Sequence, residues 1–204
     1  MTPGSSVESF EVGRVYRCES TVPIEEADRL SSSGPCAFWD KSLEVGAIFS
    51  VDELCGDGGA HIEVLEGHPP DTPDRVNMED YFVSSGALAR CVAVPASECI
   101  RLLDRLIRES KRSSVLVDAV LALGHIGGPE SFPALVEASQ NRDGRVRLHA
   151  VVVMAAVGDR SLIPKLQTLL TDEARGWMAA RSAEFCSVAQ CAREAIDSIT
   201  ARDG

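Results

Sequence analysis

No stretch of this chain approaches the roughly 20 consecutive apolar residues that a membrane helix needs, so no membrane partner is expected. The opening residues, MTPGSSVESFEVG, lack the basic start and apolar core of a secretory leader. A cytoplasmic location is therefore the expectation. Disulfide and zinc signatures are missing too. The seven cysteines, Cys18, Cys36, Cys55, Cys91, Cys99, Cys186 and Cys191, are odd in number and evenly scattered, and none of the N-terminal ones forms a C-x-x-C pair. That pattern reads as reduced, largely buried thiols with no metal site. The glycine-rich GDGG at 56–59 is followed by no lysine and leads into strand-like sequence, so it is not a phosphate loop. No catalytic nucleophile–base motif is present, and no cofactor is implied.

Basic charge is scarce in one half only. Residues 1–93 carry 6 Lys/Arg against 17 Asp/Glu, and residues 94–204 carry 14 of each, so the whole net charge of −11 belongs to the first half. Nucleic acid needs a net basic footprint, which argues against it as the main partner. The same split supports two domains, an acidic one at 1–93 and a neutral one at 94–204, with the boundary near Pro95.

The first domain reads as small and β-rich. A β-like run covers 11–19, and Pro23 opens IEEADRL, whose early acids suit the first turn of a short helix. SSSGP at 31–35 ends that segment. Residues 43–54 read as a strand with Gly46 marking a bulge or a close approach. CGDGG at 55–59 is a turn, and 61–65 is the returning strand of a hairpin. HPPDTPD at 68–74 is a loop, and 81–83 and 88–94 are further strands. A partly open barrel with one short helix fits these pieces.

From Ala96 the apolar period becomes helical. Ile100, Leu103, Leu106 and Ile107 share a stripe, while Arg101, Arg105, Arg108 and Arg112 fall on another face. That basic stripe reads as a solvated face, or as one that docks on the acidic domain. A repeat with an offset of 31 residues follows: Val115/Val146, Ala119/Ala150, Leu123/Met154, Ile126/Val157, Gly127/Gly158, Pro133/Pro164 and Leu135/Leu166. A third copy is offset by 42 residues, with Ala192, Ala195, Ile196 and Ile199 matching Ala150, Val153, Met154 and Val157. Such a period marks a solenoid whose units bury their apolar faces against one another. Helices are predicted near 96–110, 114–126, 130–140, 144–157, 161–171 and 188–201, or about three helix pairs. Gly127 and Gly158 serve as stops after helices, and Pro133 and Pro164 lie in first turns. The fold class is thus α+β in two domains, a small β-rich one followed by an all-α solenoid. The copies predict core positions at Ala119, Leu123, Ala150, Met154, Ala192 and Ile196.

These positions resemble HEAT-like repeats of the short type seen in bilin lyases and many bacterial scaffold proteins. That type follows D-x-x-V-R-x-x-A-x-x-A-L-G-x-I-G-D. Asp143, Val146, Arg147 and Ala150 match its first part, and Gly158 and Asp159 match its end. Ala119, Ala122, Leu123, Gly124, Ile126 and Gly127 match in the unit before. The resemblance covers about 96–201 and leaves the acidic domain outside it. Leu116 and Ala189 stand where the family prefers arginine, so the arginine ladder is incomplete. The resemblance implies a protein-binding scaffold, with a bilin-lyase-like enzyme as the alternative; fold alone does not choose between them.

A candidate site follows from helical geometry. Asp118, Leu121 and His125 lie off the packing stripe of their helix, and the period maps them to His149, Val152 and Ala156, then to Cys191, Glu194 and Ser198. This row is the expected concave wall, with Asp118 beside His149 and with His125 and Glu194 on the same surface. An Asp–His pair suits acid/base or metal chemistry. A solvated, hydrogen-bonded stripe is the stronger reading, because metal sites cluster more ligands. The extra residues of the third unit, within 171–187, bring Trp177, Met178 and Phe185, which suit a partner anchor or, more simply, a cap on the open end of the solenoid. The functional expectation is a non-enzymatic interaction or adaptor protein. One version is an inhibitor or immunity-type protein whose acidic domain occupies a basic partner, with binding residues Asp118, Leu121, His125, His149, Val152, Glu194 and Trp177.

Overall fold

The computed structural model describes residues 9–28, 40–55, 59–67, 79–177 and 185–202. The chain divides into two compact units, Met1–Cys99 and Ile100–Gly204.

The first unit is strand-rich. Its strands are β1 (Val15–Cys18), β2 (Val22–Asp28), β3 (Asp40–Leu43), β4 (Ile48–Leu54), β5 (Ala60–Glu66), β6 (Glu79–Val83) and β7 (Cys91–Ala93), with a 3-10 turn at Ser85–Arg90. All pairings are antiparallel, in the order β3-β2-β6-β5-β4-β1-β7, so β3 and β7 are the edges among the described residues. The expected hairpin is present as β4–β5, with register irregularities after Ile48 and after Val51. Two expectations change. Pro23–Asp28 is strand and not helix, because β2 is laddered on both sides, to β3 and to β6, and that long-range pairing overrides the local acid-first pattern. The run 43–54 is not one strand. It breaks at a turn where Gly46 adopts φ 89°, and a Cβ there would meet nothing, so the glycine serves the backbone angle and not a close approach.

The core of this unit is built around Phe10, Tyr16 and Phe49. Tyr16 and Phe49 face each other across β1 and β4 and stack at 5.7 Å, and Phe10 meets Tyr16 edge-on at 5.2 Å. The phenol is not left unpaired: its oxygen accepts from the Glu11 amide at 3.0 Å. Val22, Leu43, Val51, Ile62, Val64, Tyr81 and Val83 complete the buried cluster.

The second unit is helical: α1 (Ala96–Glu109, which starts before the boundary), α2 (Ser113–Ile126), α3 (Phe132–Ala138), α4 (Gly144–Val157), α5 (Ile163–Gln167) and α6 (Val188–Arg202). Short 3-10 turns at Pro129–Ser131 and Arg160–Leu162 lead into α3 and α5. Pro133 and Pro164 occupy the early turns, where a missing N–H costs little. α2 packs on α4 and α4 on α6, forming an inner layer; α3 lies against α2 and α4, and α5 against α6. Of the predicted core positions, Ala119, Leu123, Ala150, Met154 and Ala192 are buried. Ile196 is only half-buried, and Ala195 and Ile199 take the buried face of α6 in its place.

The helix ends differ in mechanism. Gly127 and Gly128 carry φ of 65° and 77°, as a glycine stop after α2 requires. Gly158 is extended, with φ −76°. A Cβ at this position would fall against the Met154 carbonyl oxygen and Leu162 Cδ1, so this glycine is steric and not conformational. The insertion of the third unit is a small β-hairpin, β8 (Arg175–Trp177) with β9 (Phe185–Ser187). Its first strand packs on α4: a Cβ on Gly176 would meet Leu148 Cδ2 at 2.7 Å, and one on Gly144 would meet Ala174 Cβ at 2.7 Å. The hairpin thus braces the start of α4, and residues 178–184, on which the end-cap expectation also rests, lie outside the described residues.

Candidate functional site

The inner helices are almost wholly committed to packing, which makes what remains easy to see. α2 buries Val115, Leu116, Val117, Ala119, Val120, Ala122 and Leu123. Of its remaining side chains, Asp118 is half-buried, Leu121 is 39% exposed and His125 is exposed. On α4 the corresponding His149 and Val152 are half-buried and Ala156 is exposed; on α6 Cys191 is buried, Glu194 half-buried and Ser198 exposed. The row thus closes at its N-terminal end and opens toward the C-terminal ends of the helices. Glu194 accepts from Gln190 Nε2 at 3.3 Å along its own helix.

His149 is held by its own helix. Its Nδ1 lies 2.8 Å from the Arg145 carbonyl oxygen, one turn back. Burial pushes its pKa below the ordinary histidine value, and the charges that act on it are Arg145 and Asp143. Its ring is thus anchored to the backbone of its own helix. Among the described residues no group of three or more His, Cys, Asp and Glu is placed to hold a metal ion.

The polar geometry that does converge lies at the N-terminal ends of the inner helices. Asp143 caps α4, accepting from the Arg145 amide at 2.9 Å, and binds the Arg145 guanidinium at 2.9 Å as well. The Arg145 guanidinium beside it, and the Ser113 hydroxyl at the start of α2, hold its carboxyl well below the usual range. Arg147 forms a two-pronged pair with Asp172, Nε to Oδ2 at 2.7 Å and Nη2 to Oδ1 at 3.0 Å. Its Nη1 also donates to the carbonyls of Asn141 and Arg142. The arginine ladder has this single rung: Leu116 and Ala189 at the other two positions are buried, so neighbouring rungs are replaced by apolar packing. At the opposite end Arg202 closes α4, its guanidinium donating to the carbonyls of Ala155, Ala156 and Gly158. Asp172 and Arg202 lie outside the matched repeat positions, so the sequence alone gives no signal for either.

On the hairpin, Trp177 stands opposite Phe185 in register, and Phe185 is 64% exposed. Trp177 belongs to β8, but its side chain, like Met178, lies outside the described residues.

Residues 100–184 match the family model for HEAT repeats. No curated protein and no solved structure matches the chain. HEAT repeats commonly mediate protein–protein interaction, and no described helix is long and apolar enough to cross a membrane. Layered helices and the 31-residue period agree with that match: residues 100–184 are similar to HEAT repeats, in a chain whose strand-rich N-terminal unit has no family match.

Proposed function

We propose that this protein is a non-enzymatic adaptor, of inhibitor or immunity type in its most specific version, whose HEAT repeats receive a protein partner on the open face of α2, α4 and α6. The observation that carries the reading is Leu121. It is a large apolar side chain 39% exposed on a helix whose other apolar residues are nearly all buried, and Val152 follows it on the next helix. Asp118, His125, His149 and Glu194 are the polar positions of the same repeat row, a composition that suits an interface centre with a polar rim. On the hairpin the exposed Phe185 is an aromatic anchor, and Trp177 is a second by residue type. The acidic excess of residues 1–93 favours a partner with a basic surface and would speed its encounter.

The test is capture from a native lysate by the full chain and by its Leu121→Asp variant, with the bound material identified by mass spectrometry. The expected result is a stoichiometric basic protein on the wild type that is lost on the variant, with helical circular dichroism unchanged. Equal capture by both proteins would remove the inner face from the account. A coloured or small-molecule-loaded preparation without a protein partner would favour the bilin-lyase-like alternative.

A further inference from the structure

Cys18 and Cys91 are distant in sequence but directly opposed in the sheet, Cys18 on β1 and Cys91 on the edge strand β7. The backbone bonds on either side identify the kind of opposition. Val94 donates to Val15 at 2.9 Å and Glu19 donates to Arg90 at 2.8 Å, so 15/94 and 19/90 are hydrogen-bonded pairs. Because the two kinds of pair alternate along an antiparallel ladder, 18/91 is a non-hydrogen-bonded pair. There the Cα atoms approach to about 4.5 Å and the side chains are closest. A disulfide accepts Cα separations of roughly 4.4–6.8 Å, so the backbone need not move to admit one. Both cysteines are free thiols, and the two hydrogen-bond each other. Cys18 is buried in the core while Cys91 is half-buried, which leaves one sulfur approachable and one shielded.

We propose that Cys18 and Cys91 form a reversible redox site, in which a low-molecular-weight disulfide converts the dithiol to a cross-strand disulfide that staples β7 to β1. The Cys91 thiolate attacks one sulfur of the oxidant, forming a mixed disulfide and releasing one small thiol. The Cys18 thiolate then attacks Cys91 Sγ, forming the Cys18–Cys91 bond and releasing the second small thiol. The two protein thiols lose two protons and two electrons, and the oxidant takes up both. Access sets this order, since Cys91 is half-buried and Cys18 buried. The hydrogen bond between the sulfurs lowers Cys18 and raises Cys91, so Cys18 is the more readily ionised of the two, which suits it to take up the Cys91 proton and then to act as the resolving thiolate. Cys99 differs: its thiol donates to the Val94 carbonyl, and burial pushes it up to about 11. The staple matters mechanically because β7 is an edge strand that, among the described residues, pairs with β1 alone.

The experiment uses the full chain, reduced and then exposed to oxidised glutathione. Remaining thiols are blocked in denaturant, and digested peptides are mapped by mass spectrometry. The expected product is a Cys18–Cys91 linked peptide, loss of two of the seven free thiols, reversal by dithiothreitol, and a melting temperature raised by roughly 5–15 °C. Cys91→Ser should abolish the link and leave Cys18 unmodified. The same oxidation begun in denaturant should scatter pairings among all seven cysteines, which tests the role of the fold without relying on a variant. A stable glutathione adduct on Cys91 with Cys18 free would overturn the proposal, as would the same pairings from folded and denatured protein.

Discussion

Arg147 of α4 reaches Asp172, beyond α5, through two parallel hydrogen bonds of 2.7 and 3.0 Å, both side chains being about four-fifths buried. The same guanidinium holds the loop before α4 through the Asn141 and Arg142 carbonyls. One side chain therefore ties a helix, its own entry loop and the segment that leads into the hairpin. Removing it strands Asp172 without its main partner. Arg147→Ala is expected to cost about 2–4 kcal/mol. Arg147→Lys should recover less than half of that, since an ammonium cannot make the two-pronged contact. Urea unfolding followed by helical circular dichroism checks both; a lysine variant as stable as wild type would show that charge alone suffices.

Acid should weaken the helical unit in two stages. His149 has a pKa lowered by burial, so below about pH 6.5 the unfolded chain takes a proton that the folded one refuses, and stability begins to fall. The second stage involves Asp143, lowered by its bonds to Arg145, and Asp172, lowered by its bond to Arg147. Their contribution is complete above the ordinary carboxylate range and is lost as pH falls through and below about 4. Unfolding midpoints measured across this range should show both limbs. Asp172→Asn should flatten the lower limb, and His149→Gln the upper one.

Two glycines of the repeat should answer differently to alanine. At Gly124 the new Cβ would stand 3.0 and 3.2 Å from the methyls of Val153, a side chain that can shift, and alanine brings better helix propensity. The net effect is expected within about 1 kcal/mol of zero. At Gly158 the obstacle is the backbone carbonyl of Met154, which is fixed by the helix it ends, and the loss should be about 2–3 kcal/mol. Equal losses in thermal melts would mean that α2 and α4 are as rigid as the helix end.

Core truncations should rank by burial. Leu123→Ala and Met154→Ala, at fully buried positions, should each cost roughly 2–5 kcal/mol. Ile196→Ala, at a half-buried position, should cost about 1 kcal/mol. Denaturant midpoints give the order directly. A large loss at Ile196 would return it to the core that the repeat predicted.

The self-similarity of Val115–Leu135 and Val146–Leu166 determined the helical half by itself. Helix α4 spans Gly144–Val157, the range its pattern predicts, and the buried alanines and Leu123 lie where the copies coincide. Repeating packing positions are written locally, within a turn or two of helix, so a period exposes them. Exposure of Leu121 beside buried Ala122 and Leu123 was legible for the same reason. Contacts between distant stretches decided the rest. β2 is strand because β3 and β6 flank it, despite acids that suit a helix start. The insertion pairs with itself as β8–β9, and β8 packs on α4. His149 meets a backbone carbonyl of its own helix, a contact that no period in the sequence marks. Cys18 meets Cys91, and Arg147 meets Asp172, only after strand register and loop path are set. Strand pairing is free to join any two segments, and the side chain that completes a pair leaves no periodic trace in the sequence.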